Sequence, residues 1–232
     1  MKPGFWSSFH NQALMALSPE TTAGIDYRNR FGIAELGTRS AGIIVRNGKA
    51  GFGAVYSHFG YSQFKRHSAG IACGLRLNEK MTAGIQADFF YGRAAGSINS
   101  MESLAFEAGI AIFPSEELTL SFHLFNPLPN EIRKSFLPTV LTAGAGYYLS
   151  SDLFTGAEIE MSVRGMLILR TGFEYDTGKN FLLRGGFSTE NNSFSFGIGY
   201  ILNPLSFDLS FATHQQLGIT SSVSVIFRIN KE

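Results

Sequence analysis

From residue 20 onward the chain alternates. Between Pro204 and Thr220, Leu205, Phe207, Leu209 and Phe211 take every second place, and Ser206, Asp208, Ser210 and Ala212 fill the gaps. Alternate side chains of an extended chain point to opposite faces, so one face of this segment is apolar and the other small and polar. The same period of two predicts strands at 20–29, 38–46, 50–60, 66–77, 81–92, 103–113, 117–125, 138–149, 152–163, 166–176, 180–188, 193–202, 205–213 and 218–229. No long helical period interrupts them. The strand number is even, and most strands have the roughly 9–12 residues that a tilted strand needs to cross a bilayer.

The connections carry a second signal. After even-numbered strands they are short: NGK (47–49), NEK (78–80), PSE (114–116), SSD (150–152), DTGKN (176–180) and NP (203–204). These are hairpin-turn chemistries. After odd-numbered strands many are longer: NRFGIAELG (29–37), YSQFKR (61–66), GRAAGSINSME (92–102) and NPLPNEIRKSFLP (126–138). Outer-membrane barrels have short periplasmic turns and longer outer loops, which gives this parity when both termini are periplasmic. The last three odd connections are short, so one side of the outer rim is expected to be low.

The two faces differ in kind. One carries residues such as Ile25, Ile71, Ile85, Phe106, Phe122, Ile159, Phe196 and Val223, with Tyr27, Tyr91, Tyr147, Tyr175 and Tyr200 near strand ends, as in an aromatic girdle. The other carries Asp26, Arg28, Arg46, Arg76, Asp88, Glu107, Glu158, Glu160, Arg170, Glu174, Arg184, Asp208 and Arg228, interleaved with many glycines. All seven lysines are expected in turns, loops or termini. Arginine pairs carboxylates in a planar, bidentate way that suits a confined space. The apolar face is therefore read as meeting lipid and the charged face as lining a lumen. The alternative is a soluble sandwich or lipocalin-like barrel. In hydrocarbon every unpaired backbone group costs several kcal/mol, so the sheet must close, with the first strand paired to the last.

The fold class that results is all-β: a closed antiparallel transmembrane barrel of about fourteen strands over residues 20–232. Residues 1–19 form a short N-terminal segment near or inside the periplasmic mouth. Its apolar residues Phe5, Trp6, Phe9, Ala13, Leu14 and Leu17 suit a plug, a docking peptide or a short interfacial helix. The segment has a lysine but no apolar core of a signal peptide, so export would use a signal absent from this sequence.

Composition narrows the chemistry. Charged residues make up 16% of the chain, below the roughly 25% of ordinary soluble domains. A net charge of +1 gives no reason to expect nucleic acid. The lone Cys73 excludes an internal disulfide and a cysteine-cluster metal site, and the histidines lack metal-ligand spacing, so no cofactor or metal is expected. Ser121 and His123 with Glu107 on the neighbouring strand are the best catalytic set, but a polar lumen away from lipid is a poor place for it, and no enzyme is expected. The charged lumen set can line a selective pore or form a mutually neutralising network. Its near balance of signs favours the network.

Three stretches carry a likeness: GFGAVYSHFGYSQFKRHSAGIACGLRLNEKMTAGIQADFFYG (51–92), THQQLGITSSVSVIFRIN (213–230) and SSFHNQALMALSP (7–19). Through them the chain resembles the PorV/PorQ-type outer-membrane barrels of Bacteroidota, which are related to the FadL hydrophobic-compound transporters. In the third stretch, Asn11-Gln12-Ala13-Leu14 stands where the family has an NPAGL segment at the periplasmic mouth. The resemblance implies a non-enzymatic subunit of a larger outer-membrane machine for protein secretion or outer-membrane assembly. Pro127, Pro129, Ile132, Phe136 and Leu137 are the candidate partner contacts, and outer-membrane lipids surround the barrel. The alternative is a FadL-like passive conduit for hydrophobic small molecules. It needs an apolar interior pocket, for which Phe59, Phe90, Phe113, Phe125, Phe154 and Tyr148 are candidates, and a lateral opening.

Overall fold

A computed structural model describes residues 2–96, 100–127 and 137–229. Fourteen antiparallel strands form one closed barrel. They are β1 Thr21–Asn29, β2 Gly37–Asn47, β3 Ala50–Tyr61, β4 Phe64–Asn78, β5 Met81–Ala94, β6 Met101–Ile112, β7 Leu118–Phe125, β8 Val140–Tyr148, β9 Leu153–Ser162, β10 Leu167–Asp176, β11 Phe181–Ser188, β12 Ser193–Leu202, β13 Leu205–His214 and β14 Gly218–Ile229. Closure is made by β1 against β14, from Thr21 opposite Ile229 to Asn29 opposite Ser221. Every strand thus has two hydrogen-bonded neighbours, as hydrocarbon demands.

The exposed large side chains are those of the apolar alternation: Ile71, Ile85, Phe196 and Val223 stand on the outer wall. Tyr27 and Tyr56 lie toward one end of that wall, and Tyr147 and Tyr175 toward the other. Along β4 the outward positions run from His67 to Leu77, and ten residues at a rise of about 3.3 Å and a tilt of about 40° span roughly 25 Å, the height of a barrel's apolar band. The chain is a closed barrel with the apolar outer wall of a membrane-spanning one.

The wall is uneven. β3 to β6 have 12, 15, 14 and 12 residues, whereas β7 and β11 have only 8. This corrects the loop lengths expected from the sequence. Residues 61–66 are no loop: Tyr61 pairs with Phe64 across a two-residue turn. β5 likewise continues to Ala94. These strands outlast the apolar alternation because their outer ends stand above the hydrocarbon, where either face can be polar. For the same reason Lys65 lies within β4, against the expectation that every lysine sits outside the strands.

Residues 5–17 are inside the barrel, as two 3-10 turns at Ser7–Phe9 and Gln12–Leu17. Phe5, Met15 and Ile44 form one buried cluster, with Trp6, Phe9 and Ile226 packed on it. Ala13, Leu14 and Ala111 form a second, with Leu17 and Phe113. A short helix in the membrane interface is therefore not its position.

The lipid-facing assignment predicts an asymmetric response to charge. Ile71→Arg, near mid-height, should cost about 2–4 kcal/mol in urea titrations of the barrel in lipid vesicles. The same change at the lumen-facing Ser210 should cost far less, because water and Asp208 are close by.

Candidate functional site: the plugged lumen

The interior is organised by glycine. Gly51, Gly74, Gly84 and Gly109 lie directly opposite one another on β3, β4, β5 and β6, forming a side-chain-free slot across four strands. The second 3-10 turn fills it. A Cβ at Gly51 would overlap the Met15 carbonyl, at Gly74 or Gly84 the Gln12 backbone, and at Gly109 the Asn11 side chain. Gly24 and Gly42, paired on β1 and β2, receive Phe5 and Phe9 in the same way.

Polar anchors fix the segment in the slot. Asn11 caps the turn by accepting from the Ala13 N–H at 3.2 Å, and its Nδ2 donates to the Phe122 carbonyl at 3.2 Å. Gln12, fully buried, donates through Nε2 to Glu107 Oε2 at 2.6 Å and to Gln86 Oε1 at 3.3 Å. Gln86 in turn donates to Asp88 at 2.8 Å, and His123 Nε2 meets Glu107 at 2.9 Å. Arg46 donates to the Ala16 carbonyl, and Lys2 pairs with Glu174.

The expected lumen charges therefore fall into separate groups. Arg184 bridges Glu174, at 2.6 Å, and Asp208. Arg170 holds Glu158 at 3.0 Å, Glu160 at 2.8 Å and the loop residue Glu190 at 3.4 Å. Arg228 lies 3.7 Å from Glu20. Asp26 accepts from Ser222 at 2.9 Å. Asp88 and Glu107 belong to the plug anchors. Arg28 lies near enough to His10 to act on it electrostatically. Arg76 is exposed at the rim and donates to the Asn78 carbonyl at 3.4 Å. Neither Arg46 nor Arg76 has a carboxylate partner among the described residues, so the set is not one continuous network. Glu107, the acid of the candidate catalytic set, is occupied by Gln12 and His123.

Sequence reasoning placed Asn11 and Gln12 in the mouth segment through the resemblance alone, without their anchoring contacts, and missed Met15, Lys2 and Ile44. Ile44 sits on the charged face by parity, and an apolar residue there signals a partner inside the barrel. The inward aromatics form separate pairs, not one pocket: Phe90 with Phe125 at 6.3 Å and Tyr148 with Phe154 at 4.9 Å between ring centroids.

Opposite the plug, a second glycine row crosses the low wall: Gly146, Gly156, Gly172 and Gly186, ending at Ser195. Phe154 covers Gly146. The rest borders a cavity of about 370 Å³, whose charged lining is Lys2, Glu158, Arg170, Glu174 and Arg184. The arrangement is a barrel half closed by its own N-terminus, with a cavity left against β9–β12.

Of the partner-contact candidates, Pro129, Ile132 and Phe136 lie outside the described residues. Pro127 is exposed. Leu137 closes the base of its loop, its carbonyl accepting from Asn126 Nδ2 at 2.8 Å.

No protein-family model matches the sequence, and none of the curated proteins resembles it in sequence. In structure the chain is similar to channels of the FadL/TodX kind. A deletion variant of the TodX monoaromatic hydrocarbon channel matches with a TM-score of 0.75 and 11% identity, covering 97% of this chain and 95% of that one. A FadL homologue from Pseudomonas aeruginosa matches at 0.72 and 12%, covering 99% and 95%. The Acinetobacter baumannii outer membrane protein Omp33 matches at 0.64 and 8%, covering 90% and 98%. At such identities the likeness is one of fold. It is shared with channels and does not extend to any particular PorV or PorQ feature.

The slot geometry predicts that Gly84→Val expels the plug. Single-channel conductance should rise several-fold, and the lost burial of Leu14 and Met15 should cost about 1.5–3 kcal/mol each. Gly197→Ala, whose Cβ would find its nearest atom at 3.5 Å, should leave both unchanged. Arg184→Gln removes the cation shared by two carboxylates, so reversal potentials across a salt gradient should shift toward cation selectivity.

Proposed function

We propose that this barrel is a passive outer-membrane channel for small, compact hydrophobic or amphiphilic molecules. The observation that carries this reading is the cavity left beside the plug, read as a passage. Its roughly 370 Å³ lies near the lower end of the 300–1,000 Å³ typical of small-molecule sites, which suits a single ring better than a long acyl chain. One wall is bare glycine and Phe154, where a flat apolar body can lie close to the backbone. The other is charged, where a polar substituent can be held. The likeness to a monoaromatic hydrocarbon channel supports the same solute class.

The passage runs along the lumen. Among the described residues all fourteen strand pairs are hydrogen-bonded, β6 being in register with β7 from Glu107 to Ile112 only, and the one register shift lies between Arg76 and Asn78, at the rim where β1 begins. A solute would thus leave through the mouth beside Lys2 and Glu174. The start of β1 and the end of β14 lie at the end with the short turns, which fits a periplasmic placement of that end.

Uptake of a small hydrophobic dye into vesicles holding the purified protein tests the proposal. Saturable uptake by the lone protein is expected, with a faster rate when residues 2–17 are deleted. Uptake no faster than in protein-free vesicles would overturn it. Stable co-purification with a larger barrel in mild detergent would instead favour the accessory-subunit reading, with the loop between Asn126 and Leu137 as the contact.

A further inference from the structure

The outer wall carries a group of cations that membrane burial does not explain. Tyr27, Arg39, His58, His67 and Tyr91 lie directly opposite one another across β1–β5, forming one outward row near the outer end that finishes on a single carboxylate, Glu102 of β6, opposite Tyr91. One step above, Lys65 of β4 and Arg93 of β5 are direct cross-strand neighbours. Like charges directly opposite each other destabilise a sheet. Yet none of Arg39, Lys65 and Arg93 has a carboxylate partner among the described residues. The guanidinium of Arg39 rests 5.9 Å from the Tyr27 ring centroid, and Tyr56 Oη is 2.6 Å from His67 Nδ1.

Beneath Arg39, to one side of Lys65 and Arg93, the wall is hollow. Ala41 is small, and a groove of about 660 Å³ opens above it between Tyr27, Tyr56, Ile25 and Val223. The opposite sector differs. There Met161, Leu167, Phe194 and Phe211 keep the wall apolar toward the same end. The cations are thus a local feature and not a belt.

The geometry points to a binding site for a phosphorylated saccharolipid of the outer leaflet, one molecule of lipopolysaccharide type held against β1–β5. Its phosphates would lie between Arg39, Lys65 and Arg93, relieving their mutual repulsion through charge-assisted hydrogen bonds. An acyl chain would fill the groove over Ala41. The height fits: the His67 row stands roughly 25 Å above Leu77, at the upper boundary of the apolar band, where a headgroup sits. This site is on the opposite surface of the wall from the lumen, and it stands whether or not the channel reading does.

Native mass spectrometry of the detergent-purified protein with diphosphoryl lipid A tests the inference. Binding at least about tenfold tighter than to the same lipid stripped of its phosphates is expected. The triple variant Arg39→Gln, Lys65→Gln, Arg93→Gln should lose that preference, and Ala41→Phe should weaken binding by filling the groove. Lys49→Gln with Lys80→Gln, at the other rim, should leave it intact. The shift of the folded band on unheated gels shows that each variant is folded, and Arg39→Gln alone serves if the triple variant is not. Equal binding of the two lipids, equal loss in both sets of variants, or equally tight binding of phosphatidylglycerol would each overturn the site.

Discussion

The hydrogen-bond ladder between β1 and β14 is the constraint on which everything else rests. A strand crossing hydrocarbon cannot leave a row of N–H and C=O groups unpaired, so the sheet must return to its start. Closure separates an outer surface, which must be apolar, from an inner one, which need not be. The arginines and carboxylates gather inside because that is the only place at membrane depth where they meet water and one another. The apolar side chains that would form the core of a soluble protein form the outer wall.

Closure creates a second problem. A cylinder of fourteen strands is too wide for its own side chains to fill. Here the N-terminus fills half of it. Backbone can lie against backbone only where side chains are missing, and the row Gly51, Gly74, Gly84 and Gly109 supplies that absence across four strands. The polar backbone of the inserted turn is then satisfied or flanked by Asn11, Gln12 and Arg46, as burial requires. On the other side, the equivalent glycine row has no such insert: Phe154 covers Gly146, and Gly156, Gly172 and Gly186 border open space. One device thus produces both the closed and the open half of the lumen.

The wall's unequal height follows the same division. The tall strands β3–β6 carry the plug on their inner face and, together with β1 and β2, the cations on their outer face. The cavity lies against β9–β12 of the low wall, so support and open space occupy different sectors.

Much of this was legible before any coordinates. Period-two alternation placed all fourteen strands, with every end within two residues of the observed one, and turn parity ordered them. Hydrocarbon imposes that pattern residue by residue, so it is local and can be read along the chain. The inward glycines and the apolar N-terminal residues were also visible, each as a property of its own segment. What the alternation could not show is which inward residues meet. Gln12 reaches Glu107, Lys2 reaches Glu174, and Lys65 stands beside Arg93 only because tertiary pairing brings distant segments into register. The outer ends of β4, β5 and β6 run two residues beyond the alternation, because no solvent difference between the faces marks them there. The sequence by itself determined the barrel, its closure and the identity of its two faces, since those answer to the surrounding medium. The tertiary structure decided the plug's seat, the division of the charges into separate groups and the cationic patch on the wall, since those answer to shear between strands that the chain does not spell out locally.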